Sequence, residues 1–209
     1  MREFDDSAKV FSIALMIVGV SAALFTLGGV FEEQLQGQLE RLGRRRMDRQ
    51  IDSLSGHVIV CGYGRVGAQI ARLLAARNRT LVVVDSEPAI VTRAAEDGWL
   101  AVTGDSTEDE TLHLAAIERA STLIVCLGDD AAAISTVLSA RVLNPKMRIV
   151  ARANAASSEA KLQRAGCDRV VNPLHHGAQR MAAFAEQPAV ADFLDVVVHD
   201  GSLEYRLEE

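Results

Sequence analysis

The sequence predicts an α/β fold: a Rossmann-like doubly wound parallel sheet preceded by one transmembrane helix and a helical linker. Three observations carry that prediction. From residue 57 onward, short β-branched runs alternate with stretches of helical period. The first run, Val58-Ile59-Val60-Cys61, leads into glycines at 62, 64 and 67. Ahead of both lies an uncharged run of 22 residues, 10–31.

As a helix, residues 10–31 are long enough to cross a hydrocarbon core of roughly 30 Å. A cleaved signal peptide would need a basic n-region, which Glu3, Asp5 and Asp6 spoil, and a shorter apolar stretch. Arg41, Arg44, Arg45, Arg46 and Arg49 crowd the downstream flank, against Arg2 and Lys9 upstream, so the positive-inside rule puts the C-terminal side in the cytoplasm. Gly19, mid-span, reads as a close helix contact or a bending point. Residues 32–52 are polar and helix-prone, extending the span as a stalk until Ser53, Ser55 and Gly56 break it. The stalk arginines suit lipid headgroups. The expected divisions are 1–31, 32–56, 57–187 and 188–209.

Val58 to Cys61 are too short for a helix and apolar on both faces, which reads as a mid-sheet strand. Gly62 allows a tight turn, Gly64 leaves room for a pyrophosphate, and Gly67 lets helix and strand pack closely. The apolar residues Val66, Ile70, Leu73 and Leu74 then recur at helical intervals, so phosphates would meet a helix N-terminus. A second buried strand, Leu81–Asp85, ends in an acid 18 residues after Gly67, the place from which a carboxylate accepts ribose hydroxyls. That acid disfavours the 2′-phosphate of NADP. The plain alternative is a glycine turn with an exposed acid at a strand end.

Beyond it the pattern predicts helices over 88–97, 108–116, 130–143 and 157–165 and strands over 99–103, 122–127, 148–151 and 169–171. A further helix over 178–185 and strands over 193–198 and 203–207 follow. Short connections imply right-handed crossovers in a parallel sheet. A net charge of −6 leaves no basic footprint for nucleic acid on the globular part. Cys61, Cys126 and Cys167 are odd in number and form no C-x-x-C pair, which reads as reduced packing thiols in a cytosolic compartment. Trp99, the only tryptophan, reads as a core or rim residue. His175 and His176 lack acids or cysteines at ligand spacing, so they read as helix-cap or surface groups, and no metal cluster or local catalytic grouping is visible.

These segments, in this order, resemble the RCK module, also called TrkA-N or KTN, at the pore-to-cytoplasm junction of prokaryotic potassium channels. The likeness rests on 58–67, 81–85, Gly104-Asp105-Ser106-Thr107, 124–129, Ile149-Val150-Ala151-Arg152-Ala153-Asn154 and 165–173. Residues 10–31 look like the inner pore helix, with Gly19 at its hinge. Two departures stand out. The potassium filter that precedes this helix in the family is absent, and Gly62-Tyr63-Gly64 is no substitute, because a filter needs a pore helix and exposed carbonyls from four subunits. The filter segment is therefore expected to be truncated or to lie on another polypeptide. The family's C-terminal ligand-binding subdomain, which 203–207 would lead into, is missing too.

The resemblance implies a regulator of a potassium channel pore, not an enzyme, that binds NAD(H) or an adenine nucleotide (ATP, ADP or AMP). It implies a phosphate loop of Gly62, Tyr63, Gly64, Arg65, Val66 and Gly67, with Asp85 on the ribose. Asp105 and Ser106 would line the adenine side, with Leu127 beside them, and Arg152 would reach a phosphate from the fifth strand or from a neighbouring subunit. For Asp105 and Arg152 a structural ion pair remains an equal reading. Calcium ranks below a nucleotide, because Val125-Cys126-Leu127-Gly128 offers no carboxylate before Asp129 and Asp130. The implied assembly is a homo-oligomer, dimers building a tetrameric or octameric ring in the cytoplasm at the plasma or inner membrane, with the helix over 178–185 joining subunits. Two alternatives stay open: a soluble TrkA-like regulator of a separate transporter, translated from Met47, and an NAD-dependent oxidoreductase.

Overall fold

The computed structural model describes Phe11, Leu15, Met16, residues 19–21 and residues 47–186. The chain forms two compact units, Met1–Gln50 and Ile51–Glu209. In the first, the described residues are helical. Most of the expected span over 10–31, most of the linker and both expected C-terminal strands lie outside the described residues. Among the described residues, no helix is long and apolar enough to cross a membrane.

The second unit is a six-stranded, all-parallel sheet in the order β3-β2-β1-β4-β5-β6. Its strands are β1 (Val58–Cys61), β2 (Leu81–Asp85), β3 (Leu100–Thr103), β4 (Thr122–Val125), β5 (Arg148–Arg152) and β6 (Arg169–Val171). Its helices are α1 (Arg65–Ala75), α2 (Pro88–Glu96), α3 (Asp109–Leu114), α4 (Asp130–Leu143), α5 (Ala156–Arg164) and α6 (Pro173–Glu186). This order reverses direction between β1 and β4, and the switch point opens a crevice at the C-terminal ends of those strands.

Several boundaries move for local reasons. α1 starts at once after Gly64, because Gly67 fits inside its first turn. The helix expected over 108–116 is cut short: Ala116 turns left-handed at φ 56° and a 3-10 turn, Ile117–Arg119, follows. β4 ends at Val125 rather than 127, and the chain passes to Asp129, whose carboxylate accepts from Ala132 N at 2.9 Å and caps α4. α6 begins at Pro173, five residues ahead of expectation, with proline in its first turn and the buried Asn172 accepting from His175 N at 3.0 Å.

The two halves of the sheet are covered differently. β1 and β2 are buried at nearly every position on both faces. In β4 and β5 burial alternates: Leu123, Val125, Ile149 and Ala151 lie under α4, while Thr122, Ile124, Arg148, Val150 and Arg152 on the other face are half-buried or exposed. Register carries that open face onto β6 through Arg169 and Val171, the latter 41% exposed. Val60, which packs towards α1 at Gly67, is in register with Ile124, so the open face lies on the α1 side. α6, although it carries Leu174 and Met181, buries none of its residues.

At the opposite edge of the strands the chain enters the sheet through a set of backbone clamps. Arg119 donates to Leu54 O and Asp52 O at 3.1 and 2.9 Å, and Ser121 Oγ donates to Gly56 O at 2.8 Å. His57 is buried there. Its Nε2 lies 2.9 Å from Ala115 O, while Nδ1 has no partner among the described residues. Burial lowers its pKa, the Ala115 carbonyl opposes the shift, and Arg119 adds to it.

Candidate functional site

The glycine loop runs from the end of β1 into α1. Gly62 sits at φ +91°, and a Cβ there would meet Cys126 O at 2.9 Å. A Cβ on Gly67 would lie 1.9 Å from Gly62 O, so only glycine lets helix and strand approach this closely. Around Gly64, by contrast, there is nothing within 4 Å of a Cβ: the space in front of the loop is open. Gly64 is also the N-cap of α1, with no side-chain cap bond and no acid in the first turn. Ala68 N is the first to be taken up, by Gly64 O at 3.0 Å, which leaves the N–H groups of Arg65, Val66 and Gly67 without helical acceptors. Such a helix start attracts anions. Arg65 is exposed beside it and Val66 half-buried.

Asp85, at the end of β2, is tied to the loop. Its Oδ2 accepts from Tyr63 N at 2.7 Å and its Oδ1 from Glu87 N at 3.0 Å. Each carboxylate oxygen has a further lone pair to offer. Beside it lies a cavity of about 220 Å³ whose lining includes Asp85, Gly104, Asp105, Ser106, Leu127 and Asp129. Gly104 lets that wall close, since a Cβ would meet Thr111 Oγ1 at 2.6 Å. With three carboxylates and no cation in its lining, the cavity suits hydrogen-bond donors such as hydroxyl and amino groups and disfavours phosphate, unlike the helix start at Gly64.

Of the expected site residues, Gly62, Gly64, Arg65, Val66 and Gly67 form one loop, and Asp85, Asp105, Ser106 and Leu127 share the cavity. Asp105 forms a turn with Thr107 N (2.9 Å) and no ion pair among the described residues. Ser106 is buried, and its hydroxyl lies 3.2 Å from Thr136 Oγ1 and bonds the Cys61 thiol, so it closes the floor more than it faces the opening. Arg152 stands apart from this cavity, on the open sheet face, where it makes no ion pair with a described residue and its charge acts on Cys126. Tyr63 belongs to the loop by its backbone only; its ring is fully buried under α2. Asp129, the α4 cap, and Ser86 also line the cavity; the capping position of Asp129 was the available sequence signal.

The three cysteines are free and buried. Burial, partly offset by the Ser106 hydroxyl, pushes the Cys61 thiol up to about 12, and burial pushes Cys126 up to about 11. Burial raises Cys167 as well. None is a nucleophile at neutral pH.

A family model described as the TrkA-N domain matches residues 58–173, more than half of the chain. The chain belongs to the TrkA-N (RCK) family. It is 35% identical over 193 residues, 91% of its length, to Potassium channel protein 1 of Methanocaldococcus jannaschii, and spans 58% of the length of that relative. The crystal structure of the TrkA-N domain of the inner membrane protein YbaL from Escherichia coli superposes with a TM-score of 0.60 at 32% identity, covering 63% of this chain and 98% of that one. The structure of GsuK bound to ADP superposes with a TM-score of 0.56 at 30% identity, covering 72% of this chain and 42% of that one. The all-parallel sheet with its glycine loop is thus the fold of an RCK domain.

Proposed function

We propose that this chain is the ligand-sensing regulatory part of a potassium channel and binds NAD(H) or an adenine nucleotide (ATP, ADP or AMP). The observation that carries the reading is a convergence at one crevice: unused N–H groups at the start of α1, open space beyond Gly64, and Asp85 beside a cavity of about 220 Å³. Gly62, Gly64, Gly67 and Arg65 hold the phosphates. Asp85 takes the ribose, and Asp105 with Leu127 borders the adenine. Arg152 is not part of the cavity lining; it stands at the end of β5, where its charge acts on Cys126 beside Gly62, and is assigned to a ligand phosphate, reached from this strand or from a neighbouring subunit. Likeness to a potassium channel protein and to an ADP-bound structure supports the reading.

In this reading residues 1–31 are the inner pore helix, 32–56 the linker, 57–187 the RCK domain with α6 as crossover helix, and 188–209 the start of a C-terminal subdomain. The protein is membrane-associated, and its RCK domain is cytoplasmic. α6 of a second copy covers apolar surface, dimers build the ring, and the role is binding rather than catalysis. Gating follows from linkage: a ligand biases the pore only by binding one ring arrangement more tightly than another.

Calorimetry on the full chain with ADP, AMP, ATP, NADH and NADPH tests the ligand. Saturable binding of at least one 2′-unphosphorylated ligand is expected, with NADPH weaker, and Asp85→Ala should lower affinity about ten- to hundredfold by removing a charged acceptor. No binding of any adenine ligand overturns the reading.

A further inference from the structure

Tyr63 lies between Gly62 and Gly64, in a loop whose next residues are exposed, yet it is itself fully buried. All of its polar groups are engaged. Its N–H donates to Asp85 Oδ2 at 2.7 Å, and its carbonyl accepts from Arg93 Nη2 at 2.8 Å. Its hydroxyl donates to Asp97 Oδ2 at 2.7 Å and accepts from Trp99 Nε1 at 2.6 Å. The Arg93 guanidinium also stands 5.7 Å from the ring centroid. Partners thus come from the end of β2, from α2, and from the turn between α2 and β3.

Peptide groups are planar and stiff, so fixing both the N–H and the carbonyl of Tyr63 fixes the two peptide planes that lead to Gly64. The unused N–H groups of α1 begin two residues later. We infer that Tyr63 is a positioning residue for the nucleotide site: its buried hydroxyl, held by Asp97 and Trp99, sets the phosphate end of the crevice without touching the ligand. The inference rests on the nucleotide reading above and goes beyond it, because it assigns the geometry of the loop to α2 and the turn that follows it. A core residue that merely fills space would support the adenosine and phosphate ends alike. A residue whose hydroxyl sets the loop acts mainly on the phosphate end; its hold on the ribose end is the backbone bond to Asp85, which loss of the hydroxyl leaves in place.

The test compares ADP with adenosine on the full chain by calorimetry, in the wild type and in Tyr63→Phe, which keeps the ring and removes the hydroxyl. ADP affinity should fall about tenfold as the loop loses the two bonds of that hydroxyl, while adenosine affinity stays within about twofold. Trp99, the only tryptophan, supplies a second readout. Its emission should change when ADP binds the wild type, and that change should shrink in Tyr63→Phe. If Tyr63→Phe does not fold, Trp99→Phe, which removes one bond to the same hydroxyl, carries the calorimetric comparison. Equal weakening of ADP and adenosine, or no change in either, overturns the inference while leaving nucleotide binding intact. If the wild type binds NADH but not ADP, NADH replaces ADP in the comparison; failure of the wild type to bind any adenine ligand overturns both.

Discussion

The half of the sheet built on β1 and β2 is closed on both faces by the described residues, and the half built on β4, β5 and β6 is left open by them on one face. β1 and β2 bury both faces, and the glycine loop stands on that closed half; its cavity is walled by the end of β2 and residues after β3 on one side and by residues after β4 on the other. Across the switch point, one face of β4 and β5 is packed and the other carries Ile124 and Val150 only partly covered, beside Arg148, Arg152 and Arg169. Parallel sheets are ordinarily covered on both faces, so the open face and the unburied α6 call for something beyond the described residues to pack against them. The difference teaches that the glycine loop and the open face lie on different halves of one sheet, joined through the β1–β4 pairing.

The strongest way to break the comparison is to damage the closed half. Gly67→Ala would drive a Cβ against Gly62 O, a backbone atom that cannot give way, and should cost about 3 kcal/mol or more in urea denaturation while abolishing ADP binding. A stable Gly67→Ala chain with normal ADP binding would show that the loop is not closely packed. On the other half, two positions separate the faces. Leu123→Ala, under α4, should cost about 2–5 kcal/mol at any protein concentration. Val150→Asp, on the open face, should change monomer stability by less than about 1 kcal/mol but shift sedimentation from dimer to monomer. Equal destabilisation by both would mean that the second face is packed within one copy.

The smallest expected effect concerns pH. His57 is buried with a lowered pKa, so the folded state favours neutral imidazole more than the unfolded state does. The stability this provides is complete above the ordinary histidine value of about 6.5 and is lost as pH falls through the lower folded value. Melting temperature should therefore drop between pH 7 and 5. His57→Gln, whose amide can still donate to Ala115 O but cannot titrate, should flatten that drop. An unchanged slope would place the sensitivity elsewhere.

Much of the closed half was legible from local chemistry. The spacing of Gly62, Gly64 and Gly67 and the acid at 85 depend on residues close in sequence, and α4 was readable to the residue because Asp129 caps it and Leu143 ends its apolar period. Boundaries failed where a neighbour decided them, as at Ala116, whose left-handed turn no glycine announced. The burial of Tyr63 was not readable, because its partners lie 22, 30, 34 and 36 residues away and converge only after β2, α2 and β3 have packed. Nor was the half-open face, since Ile124 and Val150 look as apolar in sequence as Leu123 and Ile149. Only register and crossover handedness separate them.

The buried thiols make this chain a convenient host for site-directed probes. With Cys61, Cys126 and Cys167 enclosed and their thiolates disfavoured, maleimide reagents at neutral pH should ignore all three. A single cysteine engineered on the outer side of α6 would then be the one group to accept a spin label or fluorophore, and distances between copies could be measured without first stripping the native sulfurs.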